Sequence, residues 1–468
     1  MPKAAPLSEL TLGVRQPDVP LPHWLYQELR GAILSGRLRR GIRLPATREL
    51  ARQHGVSRGT VVTAFEQLSA EGYLESSRGS GTFVSTRLPH DLPAPAPIPF
   101  KPSGLRQSPP VRPFRFFEPG LNAFPMDLWA RIASRRLRRA TERELSSGET
   151  FGYAPLREAV AEYLRRSRGV VCRTEQVVIV AGTNQSLDLI ARLILKPGDS
   201  VQIEDPAYPG ATSTFCNAGV SILPVAVDES GFAPSSLGAK AVYLTPAHQF
   251  PLGMTMPLDR RLAILEWARK CGAYVLEDDY DSEFRFSAKP IPAMQGLDPA
   301  GSVIFMGSFS KMLFTSLRLA YLVVPESLID PLTELRASLD RFSPTLDQAI
   351  LCDFITEGHL SRHLRRMRDL YGNRLAALLS ALKANLDGAV KLPDIQAGLH
   401  IPAHLVAPLR ADEVERRAES AGIEAWSVNR FTLRRKDVNA LLLGYAAFEE
   451  RTIQSAVQRL AAVISQPA

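Results

Sequence analysis

Residues 302–324 read SVIFMGSFSKMLFTSLRLAYLVV. Two apolar runs, SVIFMG and LAYLVV, flank a polar segment holding Ser308, Lys311 and Arg318. Short apolar runs rich in Val, Ile and Leu, with no alternation, are the pattern of strands buried on both faces. The reading puts Lys311 just past a strand end, with a hydroxyl before it and a guanidinium after it. The pattern recurs as VVIVAG near 177, VQIED near 201, AVYLTP near 241 and AYVLED near 273. Helical stretches such as NQSLDLIARLIL separate the runs, so an α/β body with a mostly parallel central sheet is predicted. Ligands of open α/β sheets bind outside the carboxyl ends of the strands. Gly182, Asp205, Thr245, Asp278 and Ser308 all fall at such ends.

At 468 residues the chain is too long for one core, and its 45% apolar content is that of a globular protein. Residues 86–113 hold nine prolines in twenty-eight positions. Proline at that density removes amide donors and fixes φ, which predicts a semi-extended linker. It separates an N-terminal unit, 18–85, from a body, 114–468. Within the body a large lobe is expected over about 150–325. A smaller α/β lobe takes 114–149 and the helix-rich stretch 330–468, which includes EGHLSRHLRRMRDLYGNRLAALLSAL. The formal net charge is +8, and residues 1–88 carry twelve Lys or Arg against seven Asp or Glu. Most of the excess thus lies in the small unit, as binding a polyanion requires. The four cysteines, Cys172, Cys216, Cys271 and Cys352, match no metal or redox spacing and read as reduced, mostly buried thiols. With no leader and no apolar run long enough to span a bilayer, a cytoplasmic protein without membrane or metal partners is expected.

In the N-terminal unit, residues 22–35 have helical periodicity. RLPATRELARQHG predicts a second helix capped by Thr47, and Gly55 makes a turn. SRGTVVTAFEQLSAEG predicts a third helix capped by Ser57, and YLESSRGSGTFV a closing hairpin. Helix, turn, helix and hairpin in this order describe a winged helix-turn-helix. The third helix is expected to enter the major groove of double-stranded operator DNA by its N-terminal end, with Ser57, Arg58 and Thr60 reaching phosphates and base edges. Arg48 touches the backbone, and Arg78 with Gly79 forms the wing tip. The string GRLRRGIRLPATRELARQHGVSRGTVVTAFEQLSAEGYL resembles the GntR family of bacterial regulators.

At the strand ends, three features match what pyridoxal phosphate requires: an amine for its aldehyde, a carboxylate against its pyridine nitrogen and a cup for its phosphate. Lys311 is the candidate amine and Asp278 the candidate carboxylate. Tyr280 is placed to meet the ring hydroxyl, and Tyr208 to line the ring pocket. For the phosphate, GTNQ at 182–185 opens a helix whose free amides favour an anion. There Thr183, Asn184, Ser308 and Arg318 supply donors.

These residues look like a fold-type I aminotransferase, the PLP-dependent transferase fold. EDPAYPG, TPAHQFPLG, EDDYDSEFRF and SFSKMLFTSLRLAY, behind a GntR-type unit and a proline-rich linker, resemble the MocR (GabR-like) regulators. The resemblance implies a head-to-tail homodimer, Lys311 as the catalytic lysine that bonds the coenzyme, and His248 close to the ring. It implies a transcriptional regulator sensing a small-molecule effector: an amine, an amino acid or a B6 vitamer. The alternative is a working aminotransferase with an accessory DNA-binding unit. Aminotransferases place a carboxylate-binding arginine on a strand near the C-terminus, and the stretch Asn439 to Phe448 has none. GABA-sensing relatives carry an arginine where this chain has Gly210. Arg430, Arg434 and Arg435 are the remaining candidates if a loop turns them inward.

Overall fold

The computed structural model describes residues 12–13, 15, 18–77, 80–89, 111–235, 238–286 and 291–465. Chain contacts divide it into two units, Met1–Ser108 and Pro109–Ala468.

In the first unit, α1 (Leu21–Leu34), α2 (Thr47–Gln53) and α3 (Arg58–Ala70) are followed by antiparallel β1 (Leu74–Ser77) and β2 (Gly81–Val84). Leu25, Leu29 and Ile33 of α1 pack with Val61, Phe65 and Leu68 of α3 in one core, the helical spacing that the sequence displays. Gly55, at φ +63°, turns the chain between α2 and α3, where a side chain would be strained. Ser57 caps α3, its Oγ accepting from the Thr60 amide at 3.0 Å. The expected cap at Thr47 is not formed: Ala46 is the capping residue, and Thr47 is the first residue inside α2. Arg48, Ser57 and Arg58 are exposed. Thr60, expected to face DNA, is instead buried with its hydroxyl 2.9 Å from Ser57 Oγ, because the helical repeat turns it toward Val61 and the core. Arg78 and Gly79 lie outside the described residues, as do 90–110 of the proline-rich segment.

The second unit is built on a seven-stranded sheet of order β3-β9-β8-β7-β6-β4-β5. The strands are β3 (Val177–Val180), β4 (Ser200–Asp205), β5 (Ser221–Ala226), β6 (Ala241–Leu244), β7 (Tyr274–Asp279), β8 (Val303–Ser308) and β9 (Ala320–Val323). All neighbours are parallel except at β9, the LAYLVV run, which is antiparallel to both β3 and β8. Alternation along each strand supplies two cores. Tyr243, Leu276 and Ile304 pack with Leu187 and Ile190 of the helix Thr183–Ile194 on one face. Val242, Val275 and Val303 pack with Ile264 and Ala268 of the helix Leu258–Cys271 on the other. Both faces being covered, the strands need no polar side, and hence the sequence shows no alternation.

A second sheet, fully antiparallel, has the order β10-β11-β13-β12, with β10 (Val390–Lys391), β11 (His400–Leu405), β12 (Trp426–Ser427) and β13 (Ala440–Gly444). The 28-residue helix His359–Leu386 and the helix Glu450–Ile464 cover it. An arm around 113–120 is tied to this lobe: the Gly444 amide donates to Phe114 O at 2.8 Å, and the Glu424 amide to Pro113 O at 2.9 Å.

The cysteine expectation needs correction. Cys352 is buried, Cys172 is half-buried, and Cys216 and Cys271 are exposed, because both exposed residues fall in the last turns of amphipathic helices. Among the described residues no helix is long and apolar enough to cross a membrane.

Because Ser57 satisfies an otherwise unpaired helix amide, Ser57→Ala is expected to lower the stability of the first unit by about 1 kcal/mol. Denaturant unfolding followed by circular dichroism checks this, and an unchanged midpoint contradicts it.

Candidate functional site

At the carboxyl edge of the large sheet, the end of β7 delivers Asp278, and the segment after β8 delivers Lys311. A cavity of about 140 Å³ opens there, and Thr183, Asn184, Tyr208, Asp278, Tyr280, Ser308, Lys311 and Arg318 all line it. Eight positions spread over 136 residues of sequence therefore meet at one place.

Asp278 is 5% exposed. Its Oδ2 accepts from the Tyr243 hydroxyl at 2.7 Å, while Oδ1 is buried with no partner. Burial disfavours the charged form and pushes the carboxyl up to about 7, against the pull of the Tyr243 hydrogen bond. The site thus presents a polarised acid with one open acceptor position, and an N–H cation placed there would return the carboxyl to its ionised form.

Lys311 shows the opposite shift. Burial lowers its ammonium to about 8, against the nearby charges of Glu118, Asp281 and Asp278, so a useful fraction is neutral near physiological pH. Its Nζ donates to the main-chain carbonyl of Phe117 at 2.9 Å.

On the opposite side, the helix Thr183–Ile194 starts at the cavity without a side-chain cap. Its first amides and dipole are directed at whatever lies there. Gly182 has φ +138°, a conformation that favours glycine, and an added Cβ would stand 3.2 Å from the Arg318 guanidinium and press on it. Ser308 is itself a cap, accepting from the Ser310 amide at 3.2 Å. Asn184 Oδ1 accepts from the Tyr208 hydroxyl at 3.0 Å. That bond closes the space beside Gly210, where an added Cβ would run into the Tyr208 ring and lie 2.6 Å from Asn184 Oδ1.

His248 does not line the cavity. Its Nδ1 lies 2.9 Å from Asp281 Oδ2 and 3.0 Å from Tyr280 Oη, behind the tyrosine. An Nδ1–H given to the carboxylate leaves the Tyr280 O–H to donate into the cavity. Asp205 is also set apart: its carboxylate accepts the amides of Leu433, Arg434 and Arg435 at 2.8, 2.8 and 3.0 Å and fastens that loop to β4. The three candidate arginines do not turn inward. Arg430 pairs with Glu415 and lies over the Trp426 ring, Arg435 pairs with Asp437, and Arg434 is exposed. Each finds its partner or water outside the cavity.

Sequence reasoning missed Tyr243, Phe250 and Phe117 as lining residues. Tyr243 lies inside an apolar strand and reads as core, and no local signal separates the two roles. Phe117 belongs to an arm 194 residues before Lys311, a juxtaposition that only the fold makes.

Two family patterns match the chain: "Bacterial regulatory proteins, gntR family" over residues 23–84, and "Aminotransferase class I and II" over residues 120–459. The chain is 37% identical over 463 residues to the probable rhizopine catabolism regulatory protein MocR of Rhizobium meliloti, covering 95% of this chain and 94% of that protein. It is 30% identical over 447 residues to the pyridoxine biosynthesis transcriptional regulator PdxR of Corynebacterium glutamicum, covering 95% and 96%. Among solved structures, the alpha-aminoadipate aminotransferase LysN of Thermus thermophilus, complexed with N-(5'-phosphopyridoxyl)-L-leucine, superposes with a TM-score of 0.69. The identity is 30%, and the match covers 76% of this chain and 92% of that one.

The raised carboxyls make stability depend on pH. Asp278 and Glu204 titrate near 7 when folded but near 4 when unfolded, and burial is the main cause for both. Below pH 4 both states hold these protons. Between 4 and 7 only the folded state does, so the contribution of these two carboxyls to stability falls as pH rises through that window. In protein stripped of small molecules, the melting temperature of Asp278→Asn relative to the unsubstituted protein is expected to rise from pH 4 to 7, because the asparagine has no charged form to bury. Thermal melts of the two proteins across the window decide it, parallel curves being the contrary result.

Proposed function

Since this chain belongs to the MocR-type regulators, which join a gntR-family unit to an aminotransferase class I and II body, we propose that it is a pyridoxal phosphate-dependent transcriptional regulator. In this reading it binds operator DNA through its first unit and senses a small amine, amino acid or B6 vitamer through its second. One observation carries the reading: a buried carboxyl with an open oxygen and a lysine lowered to about 8 share one cavity with an uncapped helix start.

These features fit the coenzyme. The open Oδ1 of Asp278 suits a pyridinium N–H. The Gly182 cradle, with Thr183, Asn184, Ser308 and Arg318, suits a phosphate dianion. Tyr280 donates to a ring hydroxyl, Tyr208 closes one wall, and His248 with Asp281 fixes the Tyr280 hydroxyl. Bound there, pyridoxal phosphate supplies an aldehyde that captures primary amines and a ring that withdraws electrons. Lys311 supplies the resident amine, which an effector amine must replace or bypass. Asp278 holds the ring-nitrogen proton.

Sensing then requires that an effector bind two states of the protein with different affinity, since equal affinity shifts nothing. The working form in this reading is a cytoplasmic, head-to-tail homodimer, which rests on the family resemblance. Arg48 on α2 and Ser57 and Arg58 at the start of α3, all exposed, make the DNA contacts in this reading.

Three outcomes are expected. Uptake of pyridoxal phosphate by stripped protein should quicken with pH through a midpoint near 8, because only neutral Lys311 has a free electron pair. Lys311→Ala should lose all coenzyme that borohydride makes permanent; stopped-flow absorbance and mass spectrometry read both, and a variant that still retains fixed coenzyme refutes the lysine assignment. Arg58→Ala should weaken binding to the protein's own promoter by about 1–3 kcal/mol, roughly 5- to 150-fold. Mobility-shift titration measures it, and wild-type affinity in the variant refutes the recognition-helix assignment.

A further inference from the structure

The Lys311 nitrogen already occupies a receptor. Besides the Phe117 carbonyl at 2.9 Å, it lies 4.4 Å from the centroid of the Phe117 ring. A carbonyl oxygen and a π face presented to one nitrogen make a binding place for an ammonium group. The arm, not the sheet, builds it. Phe117 has φ +66°, a region that residues other than glycine seldom adopt, and strain of this kind persists only where surrounding contacts hold it. The contacts are present. Phe114 is bonded to Gly444 on one side, and the Gly120 amide donates to the Tyr371 hydroxyl at 2.9 Å on the other. The Phe117 ring stacks on Phe250 at 4.9 Å and 24° and meets Tyr208, Tyr280 and His400 edge-on.

The charged groups acting on Lys311 are three carboxylates and one guanidinium, that of Arg318. Burial lowers the Lys311 ammonium most, and of the groups acting against it Glu118, the next arm residue, is the strongest, ahead of Asp281 and Asp278. Among the described residues the cations lining the cavity are Lys311 itself and Arg318, and Arg318 stands against Gly182 at the helix start. His400 is buried with both ring nitrogens unpartnered, and burial together with neighbouring His248 and Lys311 keeps it neutral. Among the described residues an entering carboxylate would find those two cations with the charge of Glu118 acting nearby, whereas an entering ammonium would find a carbonyl and an aromatic face with that charge in its favour.

We infer, resting on the coenzyme assignment above, that Phe117 and Glu118 form an ammonium-recognising subsite and that the effector is a primary amine with an apolar body and no carboxylate. Lys311 fills the subsite with its own nitrogen. Were that nitrogen bonded to the coenzyme, it would no longer offer three N–H donors, and the Phe117 carbonyl and ring would be available to an incoming amine.

Phenethylamine and phenylalanine share one body and differ by the carboxylate, so they separate the two chemistries. Calorimetric titration of the full-length, coenzyme-loaded protein is expected to give a Kd for phenethylamine at least about tenfold below that for phenylalanine. Glu118→Gln should narrow that ratio, weakening the amine and relieving the amino acid. Phe117→Leu, which keeps the carbonyl and removes the π face, should raise the amine Kd by about fivefold. Equal or tighter binding of phenylalanine overturns the inference, and so does a wild-type ratio in Glu118→Gln. Protein that takes up no pyridoxal phosphate overturns the coenzyme assignment and this inference together, so the two failures are told apart by absorbance before any amine is added.

Discussion

Exclusion of water from the ends of β7 and β8 is the constraint on which the site depends. It raises the Asp278 carboxyl and lowers the Lys311 ammonium, bringing an acid and a base toward the same pH from opposite directions. The sheet order makes this possible. With β7 between β6 and β8, Tyr243 reaches Asp278 from one neighbouring strand while Lys311 follows the other. Covering both sheet faces with helices keeps solvent from approaching except at that edge.

The acidic string EDDYD shows how the fold distributes like charges that the chain packs together. Glu277 accepts the amides of Met294 and Gln295 near the buried Arg261, and Asp279 pairs with Arg168. Asp278, pointing to the other face, has Tyr243, and Asp281 has His248. Strand alternation sends Glu277 and Asp279 to one face of β7 and Asp278 to the other, and Asp281 lies past the strand end. Only Asp278 is left with an oxygen open toward the cavity. The acids ending β4 divide in the same way: Glu204 accepts from Thr245, whose hydroxyl in turn accepts the Phe250 amide, and Asp205 fastens the 433–435 loop. The polar strand ends therefore both form the site and hold in place the loops that wall it.

Much of this was legible in the chain. Apolar runs without alternation announced strands buried on both faces, and the polar residues ending them named Asp278, Ser308 and Lys311, because in a parallel sheet all strand ends of one sense meet at one edge. The helix start at Thr183 was legible for a similar reason, the free amides following from the run of residues alone. Misreadings came where local rules allow two outcomes. Thr47 and Ser57 are both credible caps, yet only Ser57 lies outside its helix. Thr60 is polar and close to an N-terminus, yet the helical phase turns it inward. His248 resembles a ring contact but spends its nitrogen on Asp281 and Tyr280.

What the sequence determined by itself was the kind of protein: a basic helix-turn-helix unit, a proline-rich segment and an α/β body with a lysine and an aspartate at its strand ends. Those features are carried by short stretches whose periodicity and composition are set by neighbours a few residues away. Only the tertiary structure decided which groups share the cavity, that Phe117 faces Lys311 across 194 positions, and that Arg430 and Arg435 are committed elsewhere. Burial and pairing are properties of surfaces brought together from distant parts of the chain, and no local pattern encodes them.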